Sequence, residues 1–258
     1  MAQTQRERFA AARPVADAPD AELVDATLNI APATLVPDAA LLARERILPP
    51  NAAGPHGRAY KLLRTQVLQR LEQLQANTIA VISPTAGDGK THTALNLAIA
   101  IAADLSRTAL LVDCDLRNPS LHRRLGIEPT VGIEDCLQSG RLVHEAIVRL
   151  EGYQRLSLLP ARSAVEHSSE LLASDRTARL VHELRNRYNN RIIIFDLPPV
   201  LQADDALAFS RLVQCGLMVI GEGRTRCDDL TRSMELLRGL PLIGTVLNGS
   251  RESPRAGY

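Results

Sequence analysis

Tryptophan is absent from the 258 residues, and all aromatics together make up 3%. So few rings provide neither a base-stacking platform nor an interfacial aromatic belt, which argues against a single-strand nucleic-acid binder and against a membrane-embedded protein. An excess of one charge is missing too, with 30 Lys and Arg against 29 Asp and Glu. No global field therefore draws the chain to a polyanion. There is no run of 18 apolar residues, and Met1-Ala-Gln-Thr-Gln-Arg-Glu-Arg8 lacks the apolar core of a signal peptide. The expectation is a cytoplasmic protein with no nucleic-acid partner and no direct membrane insertion. The four cysteines, Cys114, Cys136, Cys215 and Cys227, form no C-x-x-C pair, and the six histidines are isolated. Reduced, partly buried thiols are expected, and a transition-metal site is not. No repeat of 20–50 residues is visible.

What is present is concentrated in Ser83-Pro-Thr-Ala-Gly-Asp-Gly-Lys-Thr91. An apolar run, Thr78–Ile82, precedes it and a helical segment, Thr91–Leu105, follows, which is the strand–loop–helix context of a phosphate loop. Glycines at 87 and 89 allow successive N–H groups to turn onto an anion. Lys90 adds a point charge for the β- and γ-phosphates, Thr91 a hydroxyl for Mg²⁺, and the helix N-terminus its partial positive charge. Ala86, Gly87, Asp88, Gly89, Lys90, Thr91 and His92 are the expected nucleotide-binding stretch. The usual G-x-x-x-x-G-K-[ST] pattern is broken at its first position, where Pro84 stands.

Residues 1–57 carry seven of the fifteen prolines and one aromatic, Phe9. They read as a flexible Ala/Pro-rich extension, with Asp38–Glu45 only transiently helical. Residues 58–250 read as one nucleotide-binding domain and 251–258 as a flexible tail. Tyr60, Leu63, Val67, Leu71 and Leu74 recur at helical spacing on a leading amphipathic helix. Strands are then expected at Thr78–Ile82, Thr108–Cys114, Leu156–Leu159, Ile192–Asp196, Leu217–Ile220 and Ile243–Leu247. Helical pieces alternate with them near Gly132–Gln138, Val143–Leu150, Ser174–Tyr188, Ala203–Leu212 and Asp228–Leu237. This pattern predicts an α/β fold, P-loop NTPase-like, with a mainly parallel sheet and helices on both faces.

In such sheets ligands sit at the carboxyl ends of the strands. Two strands end in acid there: Asp113-Cys-Asp-Leu-Arg117 follows Ala109–Val112, and Asp196-Leu-Pro-Pro199 follows Ile192–Phe195. Asp196 fits a Mg²⁺ site, direct or through water. The strand end leaves open whether Asp113 and Asp115 both serve the site or one is structural.

Together these motifs resemble the bacterial tyrosine autokinases of capsule and exopolysaccharide production. The match rests on Ser83 ahead of a loop lacking its first Gly, on D-x-D-x-R at Asp113, Asp115 and Arg117, and on D-x-P-P at Asp196, Pro198 and Pro199. Echoes continue in Ser169–Leu172, Asp205-Ala206 and Val246-Leu-Asn248, over roughly 58–250. The resemblance implies transfer of the γ-phosphoryl of ATP, with Mg²⁺, to a tyrosine of the same protein. By it, Lys90, Asp113, Asp115 and Asp196 are catalytic, with Asp113 approaching the acceptor hydroxyl and Thr91, Asp115 and Asp196 tied to Mg²⁺. Asn248 resembles the adenine-reading residue of related ATPases. An unperturbed Asp lies about 6 pK units below Tyr, so full deprotonation of the acceptor would cost about 8 kcal/mol; proton transfer must be late.

The resemblance also implies a membrane-anchored polysaccharide chain-length or co-polymerase partner, recruitment to the inner face of the membrane, and a homo-oligomer. Against a ring, the leading helix reads Arg58, Lys61, Arg64 and Gln66 where the family often carries E-x-x-R-x-x-R-x-N. The family's terminal tyrosine cluster is reduced to Tyr258, the expected self-phosphorylation site. A partition-type switch ATPase would carry a lysine where Thr85 stands; a nucleotide-binding scaffold without phosphotransfer is the other alternative.

Overall fold

The computed structural model describes residues 32–187 and 190–250. Eight strands form one sheet: β1 (Ala33–Leu35), β2 (Thr78–Ile82), β3 (Thr108–Asp113), β4 (Val148–Leu150), β5 (Leu156–Leu159), β6 (Arg191–Asp196), β7 (Cys215–Gly221) and β8 (Leu242–Asn248). Their spatial order is β1-β4-β5-β3-β6-β2-β7-β8. Every neighbouring pair is parallel except β4 with β5. All six expected strands are present, and β1 and β4 are additions at one edge.

The central strands β2, β3 and β6 are buried at every position but Thr108, and apart from their end residues they are apolar, because both faces are covered. On one face Ile79, Val81, Leu111, Ile194 and Leu217 pack with α2 (Gly54–Gln73) and α3 (Lys90–Ala102). On the other, Ala80, Ile82, Leu110, Ile193 and Phe195 pack with α8 (Asp175–Arg187) and α9 (Asp205–Ser210). This alternation is the period of two that a pleated strand imposes. Phe195 and Phe209 meet at 4.9 Å between ring centroids. Each fully buried Leu or Ile contributes about 1.5–3 kcal/mol, so the strands are the sheet's main source of stability. The helix α3 is buried at every position but His92. Its alanines let it lie close to the sheet, and that fixes the loop from which it starts.

The leading helix buries Tyr60, Val67 and Leu71 as its spacing predicts, while Leu74 is exposed. A shorter helix than expected, α6 (Val143–Ala146), gives way to β4. Ile147 and Val148 are β-branched and favour the strand.

The mobile extension expected over 1–57 does not describe 32–57. There β1 pairs with β4, and α1 (Ala39–Arg44) starts at Asp38, whose Oδ1 accepts from the N–H groups of Ala40 and Leu41. Ile47, Leu48 and Ala52 are buried in the core. Leu48 N donates to Asn96 Oδ1 at 2.8 Å, and Tyr153 Oη donates to Leu48 O at 3.1 Å. A few well-placed apolar residues and partners distant in sequence supply what the composition understated. Residues 1–31 and 251–258, and with them Tyr258, lie outside the described residues, as does Tyr188.

Candidate nucleotide site

The phosphate loop joins β2 to α3. Gly87 and Gly89 have φ of +84° and +90°, the left-handed region expected of them. At Gly89 a side chain is excluded twice, since a Cβ would collide with Asn248 Nδ2. Asp88 is buried and organises the crest: its Oδ2 accepts from Thr85 N and Thr85 Oγ1, and its Oδ1 from Thr225 Oγ1. Pro84 causes no loss where Gly is usual. A proline lacks only its N–H, and the Pro84 carbonyl accepts from Leu201 N at 3.2 Å while Ser83 O accepts from Val200 N at 2.9 Å. The two residues that follow the D-x-P-P motif thus anchor the start of the loop.

Three adjacent strands, β3, β6 and β2, bring the expected acids to this loop. Lys90 Nζ donates to Asp115 Oδ2 at 2.9 Å and to Asp196 Oδ1 at 3.3 Å. Thr91 Oγ1 donates to Asp196 Oδ2 at 2.6 Å. Burial lowers the Lys90 pKa, but Asp196 and Asp115 outweigh it and the ammonium titrates above its usual value. Asp113 is fully buried with both oxygens engaged, Oδ2 by Ser120 N and Leu121 N and Oδ1 by Asp115 N. It therefore holds the D-x-D-x-R loop and the start of α4 (Leu121–Leu125), while Asp115 faces Lys90. Burial and the nearby Asp196 charge push Asp113 up to about 7.

Two buried carboxylates, Asp115 and Asp196, share one ammonium and leave an excess of negative charge, and the Thr91 hydroxyl adds a further hard oxygen. That donor set fits Mg²⁺, which is held by one or two carboxylates together with waters and phosphate oxygens. Among the described residues no three His, Cys, Asp or Glu side chains are placed as an all-protein metal cage.

The remaining expected residues fall around this centre. Ala86 and Gly87 are exposed at the crest. The His92 ring turns from the loop, with Nε2 3.1 Å from Asn96 Nδ2 and its centroid 5.9 Å from that of His56. Burial, then His56, lowers its pKa, and only its first-turn backbone N–H is offered to a phosphate. Asn248 donates from Nδ2 to Asp88 O at 2.9 Å. Arg117 is not at the phosphate loop: its Nε lies 2.9 Å from both oxygens of Asp205, which also accepts from Ser168 Oγ at 2.6 Å. It braces α7 (Ser168–Leu172) against α9.

Two residues escaped the sequence reading, Arg224 and Thr225, in the loop between β7 and α10 (Cys227–Leu236). Their position just beyond the carboxyl end of an apolar strand, among Gly221 and Gly223, was the available signal.

A Lys–Thr loop opening a buried helix, with acids at the ends of two adjoining parallel strands, defines a P-loop nucleotide-binding domain. The chain belongs to the AAA domain family AAA_31, whose model matches residues 76–220. It is 29% identical to tyrosine-protein kinase YwqD of Bacillus subtilis, over 77% of this chain and 83% of that one. It is 32% identical to the succinoglycan biosynthesis transport protein ExoP of Rhizobium meliloti over 70% of this chain, but spans only 23% of that relative. The solved kinase domain of Escherichia coli tyrosine kinase ETK superposes with a TM-score of 0.71 at 25% identity, covering 88% of this chain and 93% of that one. The P-loop NTPase-like fold and the resemblance to bacterial tyrosine kinases are both borne out.

Proposed function

We propose that this protein is an ATP-dependent tyrosine autokinase that regulates exopolysaccharide or capsule polymerisation and export. The observation that carries the reading is the meeting of Lys90, Thr91, Asp115 and Asp196 at one point beside the phosphate loop. Similarity to YwqD supports the activity, and similarity to ExoP supports the polysaccharide setting.

Lys90 is the cation for the β- and γ-phosphates. Its two carboxylate partners hold it ready and release it when phosphate arrives. Thr91, Asp115 and Asp196 would hold Mg²⁺, directly or through water, and the ion would neutralise charge on the phosphates. Catalysis is then positioning and charge stabilisation by groups fixed before the substrate enters. Burial, then the Asp196 charge, raises the Asp113 pKa in the metal-free protein, which narrows its gap to a tyrosine. Its backbone bonds close it from an acceptor, so proton transfer through it requires the 114–120 loop to shift. Tyr258 is the proposed acceptor. Tyr60 and Tyr153 are buried in the core and are poorer candidates.

Among the described residues no helix is long and apolar enough to cross a membrane. Recruitment to the inner face of the membrane by a membrane-anchored co-polymerase is part of the proposal. So is self-association. Arg58 and Lys61 on α2 are exposed for a second copy, whereas Arg64 Nη1 is turned to Ala100 O at 3.4 Å.

The closed position of Asp113 favours a second reading, a nucleotide-binding scaffold without phosphotransfer. Incubation with γ-labelled ATP and Mg²⁺, followed by phosphoamino-acid analysis, separates the two. Label on tyrosine is expected; nucleotide binding with neither label nor hydrolysis would leave the scaffold, and hydrolysis without label would indicate a switch ATPase.

A further inference from the structure

We propose that Arg224 is a nucleotide-positioning residue whose guanidinium flanks the purine base of the bound nucleotide. The inference rests on the nucleotide reading above and adds a residue to it.

Arg224 lies in a tight turn. Arg224 N and Thr225 N both donate to Gly221 O, at 3.1 and 3.0 Å, and Gly221 N donates to Thr225 Oγ1 at 2.8 Å. The turn is tied to the phosphate loop at two successive residues. Arg224 Nη1 donates to Gly87 O at 2.7 Å, and Thr225 Oγ1 to Asp88 Oδ1 at 2.7 Å. Asn248, at the end of the neighbouring strand, caps the next carbonyl, Asp88 O. A Cβ at residue 87 would lie 2.6 Å from Arg224 Nη1, so the close approach also depends on Gly87.

This geometry separates two cations by side. In an anion cradle the N–H groups turn inward and the carbonyls outward. Lys90 is on the inner side, with Asp115 and Asp196. Arg224 is held by a carbonyl, hence on the outer side, next to Asn248. It is not placed to act on a γ-phosphate. The part of a nucleotide beyond the cradle on that side is the sugar and base. Arg224 is exposed, and among the described residues no carboxylate is paired with it. One edge of its planar guanidinium is fixed by Gly87 O, which leaves a face for stacking on a purine.

The test compares ATP with inorganic triphosphate, which has the phosphates and no base, by calorimetric titration of the full chain. Wild type is expected to bind both, and ATP more tightly. Arg224→Ala is expected to weaken ATP binding roughly 2- to 30-fold, the range of a cation–π contact, and to leave triphosphate binding unchanged. Arg224→Lys keeps the charge and the reach to Gly87 O, so it guards against a misfolded alanine variant; a smaller loss for ATP alone is expected. Equal losses for ATP and triphosphate would show that Arg224 serves the loop or the phosphates, and unchanged binding of both would show no role. Either result overturns the inference while leaving the nucleotide reading in place. Failure of wild type to bind ATP overturns both.

Discussion

The Thr91 hydroxyl donates to the Asp196 carboxylate at 2.6 Å, joining the first turn of α3 to the end of β6. A direct bond between these two oxygens places both proposed Mg²⁺-side groups together. Asp196→Asn should therefore weaken nucleotide binding about 10-fold or more with Mg²⁺ present and far less in its absence, because an amide is a poorer partner for a hard cation or its waters. Titrations with and without Mg²⁺ check this, and an equal loss in both would contradict the metal role.

Lys90→Met should lower label transfer from ATP by at least about 100-fold, since it removes the charge aimed at the phosphates. It should also destabilise the Mg²⁺-free protein by about 3–5 kcal/mol, because Lys90 is buried between two carboxylates that would lose their partner. Urea unfolding beside the label assay measures both effects. A folded variant with full activity would discard the assignment.

Asp113 gives a pH prediction. Its folded pKa, about 7, lies above its ordinary 3.8, so the native state holds a proton that the unfolded state has lost. Stability from this group is present below about pH 4 and is lost as pH rises through 7. Asp113→Asn removes the titration. In Mg²⁺-free buffer the melting temperature of the variant, relative to wild type, should rise from about pH 4 to about pH 7 and level off above it. A difference that stays flat across that range would count against the raised pKa.

The sheet was legible because its strands are continuous apolar runs bounded by turn residues, and runs such as Ile192–Phe195 can be buried only in a doubly covered sheet. The loop acids were legible because they follow those runs directly. The ordering of 32–57 was not. Ile47 and Leu48 are two apolar residues in a Pro/Ala-rich stretch, and their partners Asn96 and Tyr153 are distant in sequence. Arg224 was hidden for the same reason: its partner is a backbone carbonyl, and any residue type supplies one.

Asn96→Ala tests that N-terminal packing. It leaves the Leu48 N–H without its acceptor and should cost about 1–3 kcal/mol, the penalty of an unsatisfied buried donor. Limited proteolysis should then cut near 45–53 earlier than in wild type. Unchanged stability and cleavage would mean that the Asn96 bond does not help to hold the segment.

Tyr258 is tested by reach and by substitution. Asn248 marks the carboxyl end of β8 and touches the phosphate loop. The ten residues from Gly249 to Tyr258 span at most roughly 33–36 Å when extended, enough to reach a neighbouring copy's site. Tyr258→Phe should remove most phosphotyrosine from ATP-treated protein. Phosphopeptide mapping decides it, and an undiminished signal would assign the acceptor elsewhere.

The reversal of direction between β4 and β5 has a consequence for how the chain enters its own domain. Because β1 runs with β4, it runs against the six strands that carry the site. Its first residue, Ala33, thus lies on the same rim of the sheet as Asn248, and seven strand spacings, about 33 Å, separate the two. The first and the last strand of the described chain thus meet the nucleotide rim at its opposite edges, the first with its leading residue, Ala33, and the last with its closing one, Asn248.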